Sequence, residues 1–569
     1  MTATAQQLFS KTMAVCRGAF LYVALFSCAI NILMLTAPIY MMQVFDRILS
    51  SRSVESLVTL LTIAIFALLI MSALEAVRSM MLIRVGAWMD DRLSTAVFAG
   101  QVTQAIAGEA SAQPLRDLST FRTFLTGGSI FPILDAPWTP IFLFALFVLH
   151  PAMGGLAMGG AALLFLIAVI NEVATRGLLA KSGHLSEQAL TAAEQAARNA
   201  DVIQAMGMMG RLQERWRPIN AESLRLQNLA SDRGARLTAT SKFIRMTLQV
   251  GIMSLGAYLV LLEQVTPGAM IAGSILMGRA LAPVEQAIGT WKQAVAARQS
   301  YGRLRRHIAK TDLDQDRMAL PAPEGKLSVT GVGYFHAGHD DPALNKVSFD
   351  LEPGQHLGVT GPTASGKTTL ARVLVGNLKP TVGHVRLDGM DAAEWQAEDL
   401  GQFIGYLPQD VELFPGTIGE NIARLGEVDP DKVVEAARFA GVHNDVLKLP
   451  GGYDYEIGEA GRGLSGGQKQ RIGLARALYG DIRLVVLDEP NANLDSDGEL
   501  ALLSVLDNLK QKGVTTVIVA HRPSVMTRVD HMLVLKDGEV AALGPRDEVL
   551  AQLSGRPQGA PQPSLVRKG

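Results

Sequence analysis

The sequence predicts a multi-domain protein: an all-α transmembrane domain of six helices, followed by an α/β domain built around a phosphate-binding loop (P-loop). Two observations predict it. The first half carries five long stretches without a single charged residue. The second half carries Gly361-Pro362-Thr363-Ala364-Ser365-Gly366-Lys367-Thr368 and, far downstream at the end of an apolar run, Asp488-Glu489. At 569 residues the chain exceeds what one compact core accommodates, so at least two domains are expected.

The charge-free stretches cover residues 18–45 (28 residues), 56–74 (19), 136–171 (36), 246–262 (17) and 264–278 (15). One bilayer crossing takes about 20 mostly apolar residues. The longest stretch is nearly twice that and divides at His150-Pro151, with Gly154-Gly155 nearby. Six spans result, at about 19–43, 56–76, 133–150, 151–172, 246–263 and 265–285. Buried helices of a soluble protein are usually shorter and carry a polar stripe. The first stretch is too long for the apolar core of a signal peptide, and further spans follow it. Cys16 and Cys28 are the only cysteines, beside and within the first span, which excludes a disulfide framework or a metal cluster.

Net charge is −1, but basic residues are unevenly placed. Residues 176–245 hold eleven Lys/Arg, and the segment between the second and third spans holds Arg78, Arg84, Arg92, Arg116 and Arg122. The turns at His150-Pro151 and Glu263-Gln264 hold none, and the connector 46–55 is short and balanced. By the positive-inside rule both long loops and both termini are cytoplasmic.

Along the chain, residues 1–18 read as a short lead-in with no soluble enzyme domain ahead of the first span, and 19–305 as the transmembrane domain. Its long loops, rich in Ala, Leu, Gln, Glu and Arg, read as helical extensions. Residues 306–326, with Pro321 and Pro323, form a linker. From 327 to 553 short β-branched strands alternate with helices, the pattern of an α/β domain. The Pro/Gly/Gln-rich residues 554–569 read as a disordered tail.

His356-Leu357-Gly358-Val359-Thr360 reads as a buried strand, and the residues from Thr368 onward as a helix. This strand–loop–helix context suits a phosphate cradle. Gly361 and Gly366 permit backbone angles that aim N–H groups at phosphate oxygens, and the helix N-terminus adds positive potential. Lys367 is expected at the β- and γ-phosphates, with the Thr368 hydroxyl on Mg²⁺ and Thr369 beside it. Leu484-Val485-Val486-Leu487 reads as a strand neighbouring the loop, ending in Asp488 for Mg²⁺ and Glu489 as the general base that polarises water. A third strand, residues 515–520, delivers His521 to contact the γ-phosphate and hold Glu489 in register. Taken alone, His521 would be an ordinary strand-end histidine.

Leu464-Ser465-Gly466-Gly467-Gln468 identifies the second half as similar to the nucleotide-binding domain of ABC transporters, over residues 327–552. The resemblance implies ATP and Mg²⁺ as ligands. It implies that Gln409, within Tyr406-Leu407-Pro408-Gln409, contacts Mg²⁺ and senses the membrane half. Asn493-Leu494-Asp495 resembles the D-loop and Glu456-Ile457-Gly458-Glu459 the segment before the signature, while His521 matches the switch histidine. The adenine-stacking aromatic usually sits about 25 residues before the first loop glycine. Here that position is His336, preceded by Tyr334 and Phe335; either the imidazole stacks, less extensively, or a shift of register brings Phe335 in. In the family, Ser465 and Gly467 contact the γ-phosphate on the other subunit's loop, which implies a homodimer with two active sites.

Six spans with long extensions resemble the ABC exporter type, in which loop tips form coupling helices; residues 115–124 and 199–209 are the candidates. Pro38-Ile39-Tyr40-Met41-Met42-Gln43-Val44-Phe45-Asp46-Arg47 and Asp135-Ala136-Pro137-Trp138-Thr139-Pro140-Ile141 resemble type I secretion transporters, in the branch exporting proteases and lipases. That implies ATP-driven export of an unfolded polypeptide with a C-terminal signal across the inner membrane. It also implies a periplasmic membrane-fusion adaptor and an outer-membrane channel as partners. The alternative is an exporter of a lipid or small amphiphile. Asn31 and Arg279 fall within apolar spans, where polar groups face a cavity or a partner; Arg279 either lines a polypeptide path or makes a structural contact.

Overall fold

The computed structural model describes residues 5–106, 108, 111–311, 321–336, 341–458, 461, 463–492 and 494–553. The chain divides into two compact units at residues 313 and 314. The predicted tail, residues 312–320 of the linker, Glu459 and Asn493 lie outside the described residues.

The first unit is all helix: α1 (Ala5–Leu33), α2 (Val54–Ile106), α3 (Gln113–Thr126), α4 (Thr139–Leu149), α5 (Pro151–Arg198), α6 (Met209–Leu261) and α7 (Pro267–Ala309). Among the described residues six helical segments are long and apolar enough to cross a membrane. Leu21, Phe66, Phe144, Phe165 and Val173 are each more than 60% exposed, which a bilayer tolerates and water does not. Helices α2 and α6 run 53 residues each and α5 runs 48. At 1.5 Å per residue these reach roughly 70–80 Å, far beyond a hydrocarbon layer of about 30 Å. The excess forms the helical extensions expected from composition.

Helix α1 already starts at Ala5, so the lead-in forms the opening turns of the first span's helix. Proline sets the local breaks. Beyond Leu33 the chain turns into a short helix, Thr36–Gln43, with Pro38 near its start, and then a π-helical turn, Val44–Ile48. The third span is interrupted by a 3₁₀ turn, Ala136–Trp138, where Pro132, Pro137 and Pro140 each remove a backbone donor. His150 Nδ1 then accepts from the Ala152 N–H (3.1 Å) and starts α5.

Polar residues tie these helices together. Arg78 Nη1 donates to Asp135 Oδ1 (2.9 Å) and to Ser27 Oγ (2.9 Å), and Asn31 Nδ2 reaches the same Asp135 oxygen (3.2 Å). Asn31 therefore faces a protein partner, whereas Arg279 is exposed on α7. Of the two coupling candidates, residues 115–124 lie inside α3, with Asp117 and Leu118 buried against neighbouring helices. Residues 199–209 contain a separate short helix, Ala200–Ala205, with Val202, Met206, Met208 and Met209 exposed.

The second unit contains β1 (Leu327–Tyr334), β2 (Leu344–Leu351), β3 (His356–Thr360), β4 (Val382–Leu387), β5 (Met390–Asp391) and β6 (Ile404–Leu407). It continues through β7 (Gly416–Thr417), β8 (Glu456–Ile457), β9 (Leu484–Asp488), β10 (Thr515–Val519), β11 (His531–Lys536) and β12 (Glu539–Pro545). An antiparallel sheet has the order β2-β1-β4-β5, and a six-stranded sheet the order β12-β11-β3-β10-β9-β6. From β11 to β6 all neighbours pair in parallel, and only β12 is antiparallel. Strands β9 and β10 are buried at every position, as parallel strands covered on both faces must be. Strand β9 brings Asp488 up to the loop's Thr368 without pairing with the loop strand β3. Strand β10 lies between them, with Val519 opposite both Val359 and Asp488.

Candidate nucleotide site

The carboxyl ends of β3, β10, β9 and β6 bring the predicted residues to one edge of the sheet, where ligands collect in open α/β folds. After β3 the loop turns into α8 (Lys367–Leu374). Glycine is required twice. At Gly361 a Cβ would sit 2.1 Å from Leu535 O, and at Gly366 (φ +95°) it would sit 2.4 Å from Ala343 O. Between them Ala364 takes a left-handed φ of +65° despite its side chain, a strain of about 1–2 kcal/mol. Pro362, Thr363 and Ala364 form the exposed crest. Lys367 is buried, and its Nζ donates to the carbonyls of Gly361 (3.0 Å) and Pro362 (2.8 Å). Thr368 and Thr369 occupy the first turn of α8, half-buried, and Ser365 Oγ is buried without a partner.

Asp488 ends β9 fully buried, and neither carboxyl oxygen has a hydrogen-bond partner. Burial pushes its carboxyl above the usual range, the Thr368 hydroxyl pulls it back, and the neighbouring Glu489 charge adds to the rise. A buried carboxylate so poorly satisfied by protein fits a cation. Among the described residues no cluster of three or more His, Cys, Asp or Glu could hold a metal by itself.

Glu489 is the meeting point. Its Oε2 accepts from Gln409 Nε2 (3.3 Å), and its Oε1 lies 3.6 Å from His521 Nε2. Its backbone is left-handed (φ +50°), held by its N–H to Val519 O (2.9 Å). Gln470, which sequence reasoning missed, supplies a further brace. Its buried Nε2 donates to the carbonyls of Glu489 (3.2 Å) and Pro490 (2.9 Å). Gln470 lies two residues past Gln468, about 200° around a helix, so it points inward where Gln468 points to the helix start.

Ser465 and Gln468 form a capping box at the start of α9 (Gly466–Ala477). Ser465 Oγ accepts from the Gln468 N–H (3.2 Å), and Gln468 Oε1 accepts from the Ser465 N–H (2.9 Å). Ser465 and Gly466 are exposed, with Gly467 half-buried behind them. Among the described residues no hydrogen bond, ion pair or ring contact joins Ser465, Gly466, Gly467 or Gln468 to the loop of the same chain. What α9 presents is a helix start suited to an anion, outward from its own domain. His336 is exposed beyond β1, with its ring edge-on to Tyr334 (5.2 Å, 85°), and Phe335 is 41% exposed beside it. Asp495 caps the next helix, Ser496–Gln511, through the Gly498 N–H (2.9 Å).

Comparison with known proteins identifies the family. Residues 20–283 match the family model described as ABC transporter transmembrane region, and residues 344–492 the one described as ABC transporter. The chain is 40% identical over 547 residues to the type I secretion system ATP-binding protein PrsD of Rhizobium meliloti, covering 95% of this chain and 94% of that one. It is 28% identical to the cyclolysin secretion/processing ATP-binding protein CyaB of Bordetella pertussis, over 93% of this chain and 75% of the relative. The leukotoxin translocation ATP-binding protein LktB of Mannheimia haemolytica is also 28% identical, over 95% of this chain and 77% of the relative. A bacterial Atm1-family ABC exporter solved with ATP bound shares the fold, with a TM-score of 0.81 at 23% identity over 95% of this chain and 97% of that one. The chain thus belongs to the ABC transporter family, as a multi-pass membrane ATPase related to the type I secretion ATP-binding proteins.

Proposed function

We propose that two copies of this chain form the inner-membrane pump of a type I secretion system, which uses ATP to export an unfolded polypeptide with a C-terminal secretion signal. The observation that carries this reading is the end-to-end match to a type I secretion ATP-binding protein. The more distant relatives are named for secretion or translocation of a toxin, which favours a polypeptide over a lipid or small amphiphile as cargo. A pump of this kind hands its cargo to a periplasmic adaptor and an outer-membrane channel.

In the proposed cycle the backbone from Gly361 to Gly366 cradles the phosphates. Lys367 exchanges the carbonyls of Gly361 and Pro362 for β- and γ-phosphate oxygens. Thr368, Gln409 and Asp488 hold Mg²⁺, which when bound neutralises charge on the phosphates. Glu489 takes the proton of the attacking water, and His521 keeps that carboxylate in place beside the γ-phosphate. Ser465 and Gly467 of the second copy close over the γ-phosphate with their helix start, while His336 covers the adenine. Each copy has one loop and one signature stretch, so two copies complete two sites and separate again after hydrolysis.

The test is ATPase activity of the full chain reconstituted in vesicles. Stimulation by the C-terminal segment of a secreted polypeptide encoded beside it, with no response to added lipids or amphiphilic drugs, is the expected result. Stimulation by lipid alone would move the assignment to the alternative cargo.

A further inference from the structure

The peptide that carries His521 has little backbone support. Strand β10 ends at Val519, and the Ala520 N–H still donates to Val359 O (3.2 Å). Beyond it, among the described residues, neither the His521 nor the Arg522 N–H donates to a backbone carbonyl. The chain is next fixed by the short helix Pro523–Met526, through buried Val525 and Met526. Side chains therefore set where residues 521–524 lie.

Two of those side chains converge on one carboxylate. Glu499 Oε2 accepts from Arg522 Nη1 (2.6 Å), and Glu499 Oε1 accepts from the Ser524 hydroxyl. Glu499 stands in the first turn of α10 (Ser496–Gln511), the helix that Asp495 caps. Leu502, Val505, Leu506 and Leu509 bury the inner face of α10 in the core, which makes it a fixed platform. The Ser524 hydroxyl, with the Arg522 guanidinium beside it, holds the Glu499 carboxyl below the usual carboxylate range. Among the described residues no hydrogen bond or ion pair joins Glu499 to the P-loop or to Glu489. An ion pair whose arginine side chain is 48% exposed adds little to stability. What this clasp supplies is position.

We propose that Glu499 is a positioning residue for ATP hydrolysis: by clasping Arg522 and Ser524 it fixes the peptide that delivers His521 to Glu489 and the γ-phosphate. At 3.6 Å from Glu489 Oε1, His521 Nε2 has little room to drift before the contact is lost. With the clasp open, residues 521–524 are free to shift, and the base loses its brace on one side. The inference rests on the assignment of His521 to the catalytic site and is independent of what the transporter exports.

The experiment measures ATPase activity, equilibrium ATP binding and unfolding midpoint of the full-length protein and its variants. Glu499→Ala is expected to lower kcat about tenfold while KM and ATP affinity stay within about twofold and the midpoint stays near that of the unaltered chain. Glu499→Gln keeps an acceptor oxygen for one partner and is expected to recover part of the turnover. Arg522→Ala opens half of the clasp from its exposed side and gives the same readout if Glu499→Ala fails to fold. In a His521→Ala background, Glu499→Ala is expected to add no further loss, because both changes act through one imidazole. The full Glu499→Ala loss persisting in that background would overturn the proposal, as would unchanged turnover in Glu499→Ala or a midpoint that falls in step with turnover. Full turnover in His521→Ala alone would overturn the assignment of His521, and this inference with it.

Discussion

His521 Nε2 stands 3.6 Å from Glu489 Oε1 while Gln409 Nε2 holds the other oxygen at 3.3 Å, so strands β10 and β6 grip one carboxylate on β9 from both sides. A base fixed from two directions is poised to meet a water without searching rotamers. Glu489→Gln keeps the shape and removes the basicity. Turnover is expected to fall by about 10²–10⁴, with ATP binding retained. His521→Ala leaves the carboxylate and loosens its position, so a smaller loss is expected. Single-turnover phosphate release beside equilibrium nucleotide binding checks both; unchanged turnover in Glu489→Gln refutes its role as the base.

Gln470 acts through Glu489 rather than on the nucleotide. Its amide holds the carbonyls of Glu489 and Pro490, steadying a backbone at φ +50° that glutamate does not adopt freely. Gln470→Met keeps the volume and loses both donors. ATP affinity is expected to stay within about twofold while kcat falls about tenfold, the signature of lost positioning rather than lost binding. Parallel losses in affinity and kcat would instead mean that α9 itself had shifted.

Much of this arrangement was legible in the sequence, because its signals are local. The spans announce themselves by absence of charge, and the loop by two glycines and a lysine between a β-branched run and a helix. Strand order was not legible: β10 enters between β3 and β9 through a pairing with β3 that joins Thr516 to His356, far apart along the chain, which no local pattern encodes. Gln470 was hidden because its role depends on which face of α9 is buried. The strain at Ala364 was hidden as well, since alanine carries no mark of a left-handed turn.

Asp488 sets function against stability. Its carboxyl is raised by burial, so the native state holds the proton more tightly than the unfolded chain. Between the ordinary carboxylate value and the raised native one, stability from this residue falls as pH rises, because the buried carboxyl must give up its proton and carry a charge. Asp488→Asn removes that charge. A gain of about 1–3 kcal/mol in unfolding free energy is expected at neutral pH, shrinking as the pH falls toward the ordinary carboxylate range. Hydrolysis is expected to be lost in the same variant. Thermal unfolding across pH, in parallel with ATPase assays, measures both.

In the membrane unit, Asp46 joins two distant spans. From its π-helical turn the carboxylate accepts from the Thr266 hydroxyl (2.6 Å) and the Gly268 N–H (2.8 Å), sitting at the positive start of α7. A Cβ on Gly268 would lie 2.6 Å from that carboxyl group, so glycine there is what lets the carboxylate approach. Asp46→Ala removes both bonds and the charge, with an expected loss of about 1–2 kcal/mol. Gly268→Ala is expected to cost a similar amount by pushing the carboxylate away, and the double variant little more than either alone, because each removes the same contact. Full additivity in detergent-solubilised thermal unfolding would show that the two residues stabilise the fold independently, and that the first and last spans are held together by apolar packing instead.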